Sequence, residues 1–257
     1  MARTYVVTGA ASGIGAATMR YLQERGGRVI GCDLHDAEVI GDLTTGEGRA
    51  ALVEGVMRLS GGGIDAIVAN AGGGPAETSL SLNFFGTVAT LEGLRPLLEA
   101  SPAPRAVAVS SIAALRPPDA GLVDACLDLD EPAAVVAASD AVAAGDGLAL
   151  YSNAKHALNA WCRSVAAGPQ WAGAGIPLNV VALGFFDTPA AAYILSDADL
   201  RAQAAQRAPM RGAFPGRPDQ AAAALAWCVS PENSMMTGQV LFVDGGAECL
   251  SRGGRSS

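Results

Sequence analysis

The chain of 257 residues predicts an α/β fold in which a single parallel sheet is doubly wound, with helices on both faces. Three features point there. Short apolar runs rich in valine and alanine alternate with longer stretches of helical periodicity. Most of these runs end in a glycine-rich or polar turn. No repeat or linker divides the chain, and its length suits one large α/β domain, placed at residues 1–250, with residues 251–257 as a disordered tail.

Composition excludes several roles. Hydrophobic residues make up 50% of the chain, yet no run of about eighteen apolar residues appears, so no membrane span is expected. Met1-Ala2-Arg3-Thr4 passes directly into Tyr5-Val6-Val7-Thr8 with no export signal. Cys32, Cys126, Cys162, Cys228 and Cys249 lack metal-like spacing, so reduced thiols in a cytoplasmic setting are expected. A net charge of -8 argues against nucleic acid and against an acidic carrier protein as partner. His35 and His156 stand alone, which suits packing or surface roles, and no metal site is expected.

The first strand, at Val6-Val7, ends in Thr8-Gly9-Ala10-Ala11-Ser12-Gly13-Ile14-Gly15, and Ala16 to Arg25 continues as a helix. Glycines between a strand and a helix are the setting of a phosphate-binding turn. Gly9 permits the tight turn, Gly13 lets the backbone approach a pyrophosphate, and Gly15 lets helix and strand pack closely. The helix start at Ser12, Gly13 and Ile14 supplies free N–H groups and the positive end of the dipole. The second strand, Arg28 to Cys32, ends at Asp33, whose carboxylate can accept hydrogen bonds from ribose hydroxyls and would repel a 2′-phosphate. Neither Ser12 nor Leu34 offers a compensating cation, so NAD is favoured over NADP. A third strand, Val39-Ile40, precedes Gly41-Asp42-Leu43. Asp42 reads equally well as an acceptor for the adenine amino group or as a plain turn residue.

A helix from about Glu47 to Leu59 stops at Gly61-Gly62-Gly63. The strand Ile64 to Ala69 closes on Asn70-Ala71-Gly72, and a long helix from about Asn83 to Glu99 carries Leu91, Leu94, Leu97 and Leu98 on its apolar stripe. The strand Ala106 to Val109 ends at Ser110-Ser111. In open α/β sheets chemistry gathers outside the carboxyl ends of strands, where Ser111 lies, and alternation should turn Ser110 to the other face. Tyr151-Ser152-Asn153-Ala154-Lys155 then opens a helix continued by Leu158, Trp161, Cys162 and Val165, with Tyr151 and Lys155 one turn apart on one face. A phenol titrating near its ordinary value of about 10 is idle at neutral pH, and an adjacent ammonium is expected to draw it down.

In this order, Thr8–Gly15, Asn70-Ala71-Gly72, Ser111 and Tyr151-x-x-x-Lys155 resemble the short-chain dehydrogenase/reductase family over nearly the whole chain. The resemblance implies a Rossmann fold and a catalytic tetrad. Tyr151 would be the acid/base, Lys155 would lower its pKa and hold the nicotinamide ribose, and Ser111 would bond the substrate oxygen. Asn83, in Leu82-Asn83-Phe84-Phe85-Gly86, would hold a water that leads protons to Lys155. Dinucleotide contacts are implied at Leu34, Leu43, Asn70, Ala71, Gly72, Gly184 and Phe186, and Thr188 would bind the nicotinamide carboxamide.

One departure is large. The family usually sets the serine and tyrosine far closer together than Ser111 and Tyr151. The extra segment, about residues 115–148, follows Pro117-Pro118 with Leu122, Ala125, Cys126 and Leu129 at helical spacing. Pro132 can start a second helix through Val135 and Val136 to about Ala144. Its seven carboxylates (Asp119, Asp124, Asp128, Asp130, Glu131, Asp140, Asp146) suggest an exposed outer face. The insert, the length and the opening segment are similar to the bacterial 3α-hydroxysteroid dehydrogenase/carbonyl reductase subgroup. The insert reads either as an active-site cover or as a structural flap. Beside the Tyr151 helix it would obstruct association through that helix, so a homodimer is expected ahead of a homotetramer.

The strand Ile176 to Ala182 ends at Leu183-Gly184-Phe185-Phe186-Asp187-Thr188, with Leu183 where the family has proline. Residues Pro189 to Phe214 form a variable lid, apolar from Ala190 to Leu195 and again at Met210, which suits a substrate wall. A helix from Pro218 to Val229 and a strand from Gln239 to Val243 lead to the turn Asp244-Gly245-Gly246. The expected wall (Ile112, Ala113, Phe185, Phe186, Tyr193, Ile194, Leu195) offers no cation for a carboxylate or phosphate. The expected activity is NAD-dependent interconversion of a hydrophobic secondary alcohol and its ketone. A carrier-linked 3-oxoacyl reductase and a non-catalytic dinucleotide sensor are the rivals.

Overall fold

In the computed structural model, which describes residues 2–253, seven parallel strands form one sheet in the order β3-β2-β1-β4-β5-β6-β7. They are β1 (Thr4–Thr8), β2 (Arg28–Asp33), β3 (Val39–Ile40), β4 (Ala66–Ala69), β5 (Arg105–Ser111), β6 (Leu178–Leu183) and β7 (Val240–Val243). The helices are α1 (Gly13–Gln23), α2 (Gly46–Ser60), α3 (Thr87–Leu94), α4 (Ala120–Leu127), α5 (Glu131–Ala137) and α6 (Ser139–Ala143), then α7 (Gly147–Ala166), α8 (Ala192–Ser196), α9 (Ala198–Gln206), α10 (Pro218–Cys228) and α11 (Ala247–Arg252). The chain starts mid-sheet, builds outward to β3, then crosses back to β4 and builds the other way. The reversal between β1 and β4 opens a crevice at their carboxyl ends. This is the expected doubly wound parallel sheet.

Strands β4 and β6 are buried along their whole length, and so is β5 up to Ser110. Helices cover both faces, so these strands need continuous apolar residues rather than alternation. On one face Ile67, Ala106, Ala108 and Val180 meet residues of α2, α3 and α7; on the other Val68, Val107, Val109 and Val181 meet residues of α10. Ser110 follows Ala106 and Ala108 and reaches the Lys155 carbonyl at 3.4 Å.

Helix α1 begins at Gly13, inside the glycine turn that opens it. Two local predictions are corrected. The expected helix Asn83–Glu99 is a composite: a π turn at Ser81–Gly86, then α3, then a 3-10 turn at Arg95–Leu98 that includes Pro96. The tail expected from residue 251 begins as helix, because Ser251 and Arg252 close α11; residues 254–257 lie outside the described ones.

The insert forms three short helices, its second predicted helix breaking between α5 and α6. Leu122, Val123, Cys126, Ala134 and Ala138 join the same core as α7. Six of the seven carboxylates are exposed, as expected, and only Glu131 is half-buried. Asp119, Asp130 and Asp146 cap α4, α5 and α7, and Glu131 pairs with Arg49. Short helices leave many unsatisfied N–H groups per residue, which is why acidic residues gather at their starts. Leu129, Val135 and Val136 are exposed instead. Among the described residues no helix is long and apolar enough to cross a membrane, no group of metal-ligating side chains forms, and the cysteines are free thiols.

Candidate active site

The glycine turn is held by steric necessity. Gly9 has φ +68°, and a Cβ there would stand 2.8 Å from the Asn70 Nδ2. A Cβ on Gly15 would stand 1.9 Å from the Gly9 carbonyl oxygen, so no larger residue fits. Gly13 has φ +51° and faces Thr188, with its Cβ position 3.4 Å from that side chain, so the turn and the start of the lid meet. Ser12 caps α1 in extended conformation with no side-chain cap bond, which leaves its hydroxyl and the first-turn N–H groups available to an anion.

Thr8, not singled out in the sequence, joins the two strand ends. Its hydroxyl oxygen accepts from the backbone N–H groups of Asn70 and Ala71, both at 3.0 Å, and Asn70 Nδ2 donates to the Thr8 carbonyl at 3.0 Å. Its place at the end of β1, directly before Gly9, was the available signal. Asp33 lies at the end of β2 as expected, and its two oxygens accept from Ala11 N–H (2.8 Å) and Leu34 N–H (2.7 Å). The Asp42 Oδ1 accepts from the Thr44 hydroxyl (2.7 Å) and Thr44 N–H (2.9 Å), bonds that close the turn and hold its carboxyl below the usual value. Leu43 and Phe186 pack their side chains against the core, and Phe186 also borders a cavity beside Phe185. The left-handed glycines, the open cap at Ser12 and the fixed carboxylate at Asp33 together fit a dinucleotide.

At the other end of the crevice, α7 carries Tyr151 in its second turn. Lys155, the only lysine of the chain, is 2% exposed; its ammonium donates to the Val109 carbonyl at 2.8 Å and stands 5.7 Å from the Tyr151 ring centre. Burial lowers the Lys155 pKa to about 8, with Cys162 opposing. Burial pushes the Tyr151 phenol upward, opposed by the Ser111 hydroxyl and reinforced by Tyr193. This corrects the expected lowering: the phenol's own desolvation outweighs its neighbours.

Asn83 is fully buried. Its Nδ2 donates to the carbonyls of Gly73 (2.9 Å) and Ser79 (2.8 Å), and its Oδ1 accepts from Gly73 N–H (2.9 Å). Gly72 lies between two candidate groups, since a Cβ there would be 2.9 Å from Asn83 Oδ1 and 3.4 Å from Lys155 Nζ. The Ser111 hydroxyl accepts from Ala113 N–H at 3.1 Å, which fixes the turn carrying Ile112 and Ala113. Gly184 packs on Asp244, with a Cβ position 2.7 Å from its Cα. Phe185 meets Phe214 edge-on at 6.1 Å, and Tyr193 is exposed, while Ile194 and Leu195 are half-buried. A cavity of about 170 Å³ lies between Phe185, Phe186, Met210 and Gly245. The Met210 N–H donates to the Gly245 carbonyl at 3.0 Å, so the final turn also docks the lid.

Comparison with known proteins gives a consistent result. Residues 3–123 match the family model described as short chain dehydrogenase, and residues 128–248 match one described as enoyl-(acyl carrier protein) reductase. The chain is 33% identical to the 3-alpha-hydroxysteroid dehydrogenase/carbonyl reductase of Comamonas testosteroni, over 96% of this chain and 97% of that one. It is 35% identical to the cis-4-hydroxycyclohexanecarboxylate dehydrogenase of Sinomonas cyclohexanicum, over 95% and 96%. The structure of the 3-alpha-hydroxysteroid dehydrogenase from Pseudomonas sp. B-0831, complexed with NADH, superposes with a TM-score of 0.88 at 35% identity, covering 97% of this chain and 98% of that one.

Proposed function

This chain belongs to the short-chain dehydrogenase/reductase family of oxidoreductases, and we propose that it interconverts a hydrophobic secondary alcohol and its ketone with NAD as cofactor. The observation that carries this reading is the buried Lys155 one turn behind Tyr151, with the Ser111 hydroxyl alongside. Such a set supplies an acid/base, which a dinucleotide sensor does not need.

A bound nicotinamide would supply the hydride acceptor for alcohol oxidation and the hydride donor for ketone reduction. In oxidation the Tyr151 phenolate accepts the substrate hydroxyl proton, and in reduction the phenol donates it. Ser111 donates to the same substrate oxygen and stabilises charge as it develops. Lys155 would orient the nicotinamide ribose; its ammonium stands 5.7 Å from the Tyr151 ring, whose phenol burial holds above its ordinary value. Asn83 steadies the turn at Gly72-Gly73 and holds the water that leads protons to Lys155. Gly9, Ser12, Gly13, Ile14 and Gly15 would hold the pyrophosphate, Asp33 the adenosine ribose, and Thr188 the carboxamide.

Support for NAD over NADP comes from Asp33 and from an open cavity of about 500 Å³ beside Ala10 and Ala11, bordered by Asp36 and Glu38. These carboxylates oppose a 2′-phosphate. Support for a cyclic alcohol comes from the apolar side chains near Phe185 and Tyr193, together with relatives whose names specify a hydroxysteroid and a hydroxycyclohexanecarboxylate, although the carboxylate of the second finds no cation in the expected wall. A carrier-linked 3-oxoacyl reductase is the second reading, favoured by the description of the model matching residues 128–248 and opposed by the net charge of -8. We also propose a cytoplasmic homodimer built on one domain. Fluorescence titration with NADH and NADPH tests the cofactor: tighter binding of NADPH would overturn the role given to Asp33.

A further inference from the structure

Arg49 joins three parts of the molecule. From α2 its Nε donates to the Leu43 carbonyl at 2.8 Å, and one Nη donates to the Ser81 carbonyl at 2.9 Å. Its two Nη atoms form a fork on the Glu131 carboxylate of the insert, at 2.5 and 2.9 Å. The two side chains expose only 15% and 26%, so this is a partly desolvated bidentate pair rather than a solvent-washed one. Burial raises the Glu131 carboxyl, but Arg49 and the Ser81 hydroxyl outweigh it and hold it below the usual glutamate value.

The turn that Arg49 grips has no slack. A Cβ on Gly86 would stand 2.7 Å from the Leu43 carbonyl oxygen, and one on Gly48 would stand 2.0 Å from that of Asp42. The segment Asp42-Leu43 is thus closed in by the first turn of α2 and the π turn, with Arg49 fastening it to the insert. Asn83 has its own bonds to Gly73 and Ser79, independent of Arg49.

We propose that Glu131 is a positioning residue for the adenosine end of the dinucleotide, acting through Arg49 to hold the Asp42-Leu43 turn in place. The inference rests on the dinucleotide reading above. It gives the insert an influence on cofactor affinity that neither a cover nor a simple flap would have. Without the carboxylate, the guanidinium keeps two carbonyl acceptors but loses the partner that fixes its plane.

The test compares Glu131→Gln, Glu131→Asp and Arg49→Lys with the parent protein. Dissociation constants are measured for NADH and for reduced nicotinamide mononucleotide, which lacks the adenosine, alongside kcat and KM. Glu131→Gln and Arg49→Lys are expected to weaken NADH by about tenfold, the order set by a residue one contact behind a ligand. They should raise KM for NAD by a similar factor and leave kcat and mononucleotide binding unchanged, with Glu131→Asp restoring part of the loss. Unchanged NADH affinity, whatever happens to the melting temperature, would overturn the inference, as would an equal loss for both ligands. If the parent protein binds neither NADH nor NADPH, the dinucleotide reading fails first and the inference falls with it.

Discussion

The Lys155 ammonium donates to the Val109 carbonyl at 2.8 Å, which fastens the helix bearing Tyr151 to the strand that ends at Ser111. The acid/base and its neighbouring hydroxyl are therefore carried on a strand and a helix joined by buried bonds, this one and that of the Ser110 hydroxyl to the Lys155 carbonyl. A single buried cation at that position has consequences for pH, chemical reactivity and turnover.

Stability should rise with pH above about 8. The folded pKa of Lys155 is about 8, below its ordinary 10.5. Between those values the unfolded chain binds a proton that the folded chain does not, so folding gains with increasing pH, and below about 8 the penalty is fully present. Urea midpoints between pH 8 and 10 should climb in the parent relative to Lys155→Met. A flat difference would refute the depressed value.

Amine labelling should find one side chain. Lys155 is the only lysine, and a neutral amine near pH 8 is nucleophilic. Mass spectrometry after mild acylation should show one side-chain adduct, formed slowly because the amine is buried, and slower still with saturating NADH. Labelling that ignores NADH would argue against Lys155 lying beside the cofactor.

Asn83→Ala should be costly to the fold itself. The change leaves the Gly73 N–H and the Gly73 and Ser79 carbonyls without their partner in a buried setting. A loss of about 3 kcal/mol in urea unfolding is expected, together with loss of turnover. A loss below about 1 kcal/mol would mean that water replaces the amide freely.

Tyr193→Ala should do the opposite. Tyr193 is 65% exposed in α8, so stability should move by less than about 0.5 kcal/mol. Its placement near Tyr151 predicts a higher KM for the alcohol with NADH affinity unchanged. An unaltered KM would remove it from the substrate wall.

What the sequence revealed and what it hid have physical reasons. Strands β4, β5 and β6 were legible because burial on both faces demands unbroken apolar runs. The Tyr151–Lys155 face was legible because helical spacing is local. The direction of the Tyr151 pKa was not, since burial is a tertiary quantity that a pair of residues one turn apart does not report. The π turn was hidden because Asn83 and Gly86 are compatible with an ordinary helix, and their partners Gly73, Ser79 and Leu43 come from outside it. Arg49 left no signal at all: its carboxylate partner lies 82 residues away, in a segment whose acids looked merely solvated.

The most direct test of the account is NADH formation at 340 nm with NAD⁺ and cyclic secondary alcohols, from hydroxycyclohexanes to 3α-hydroxysteroids, with NADP⁺ in parallel and Tyr151→Phe beside the parent. The account predicts NAD⁺-linked turnover in the parent, and a fall of about a hundredfold or more in Tyr151→Phe, which still binds NADH. Turnover with NADP⁺ alone, or a Tyr151→Phe protein as fast as the parent, would contradict it.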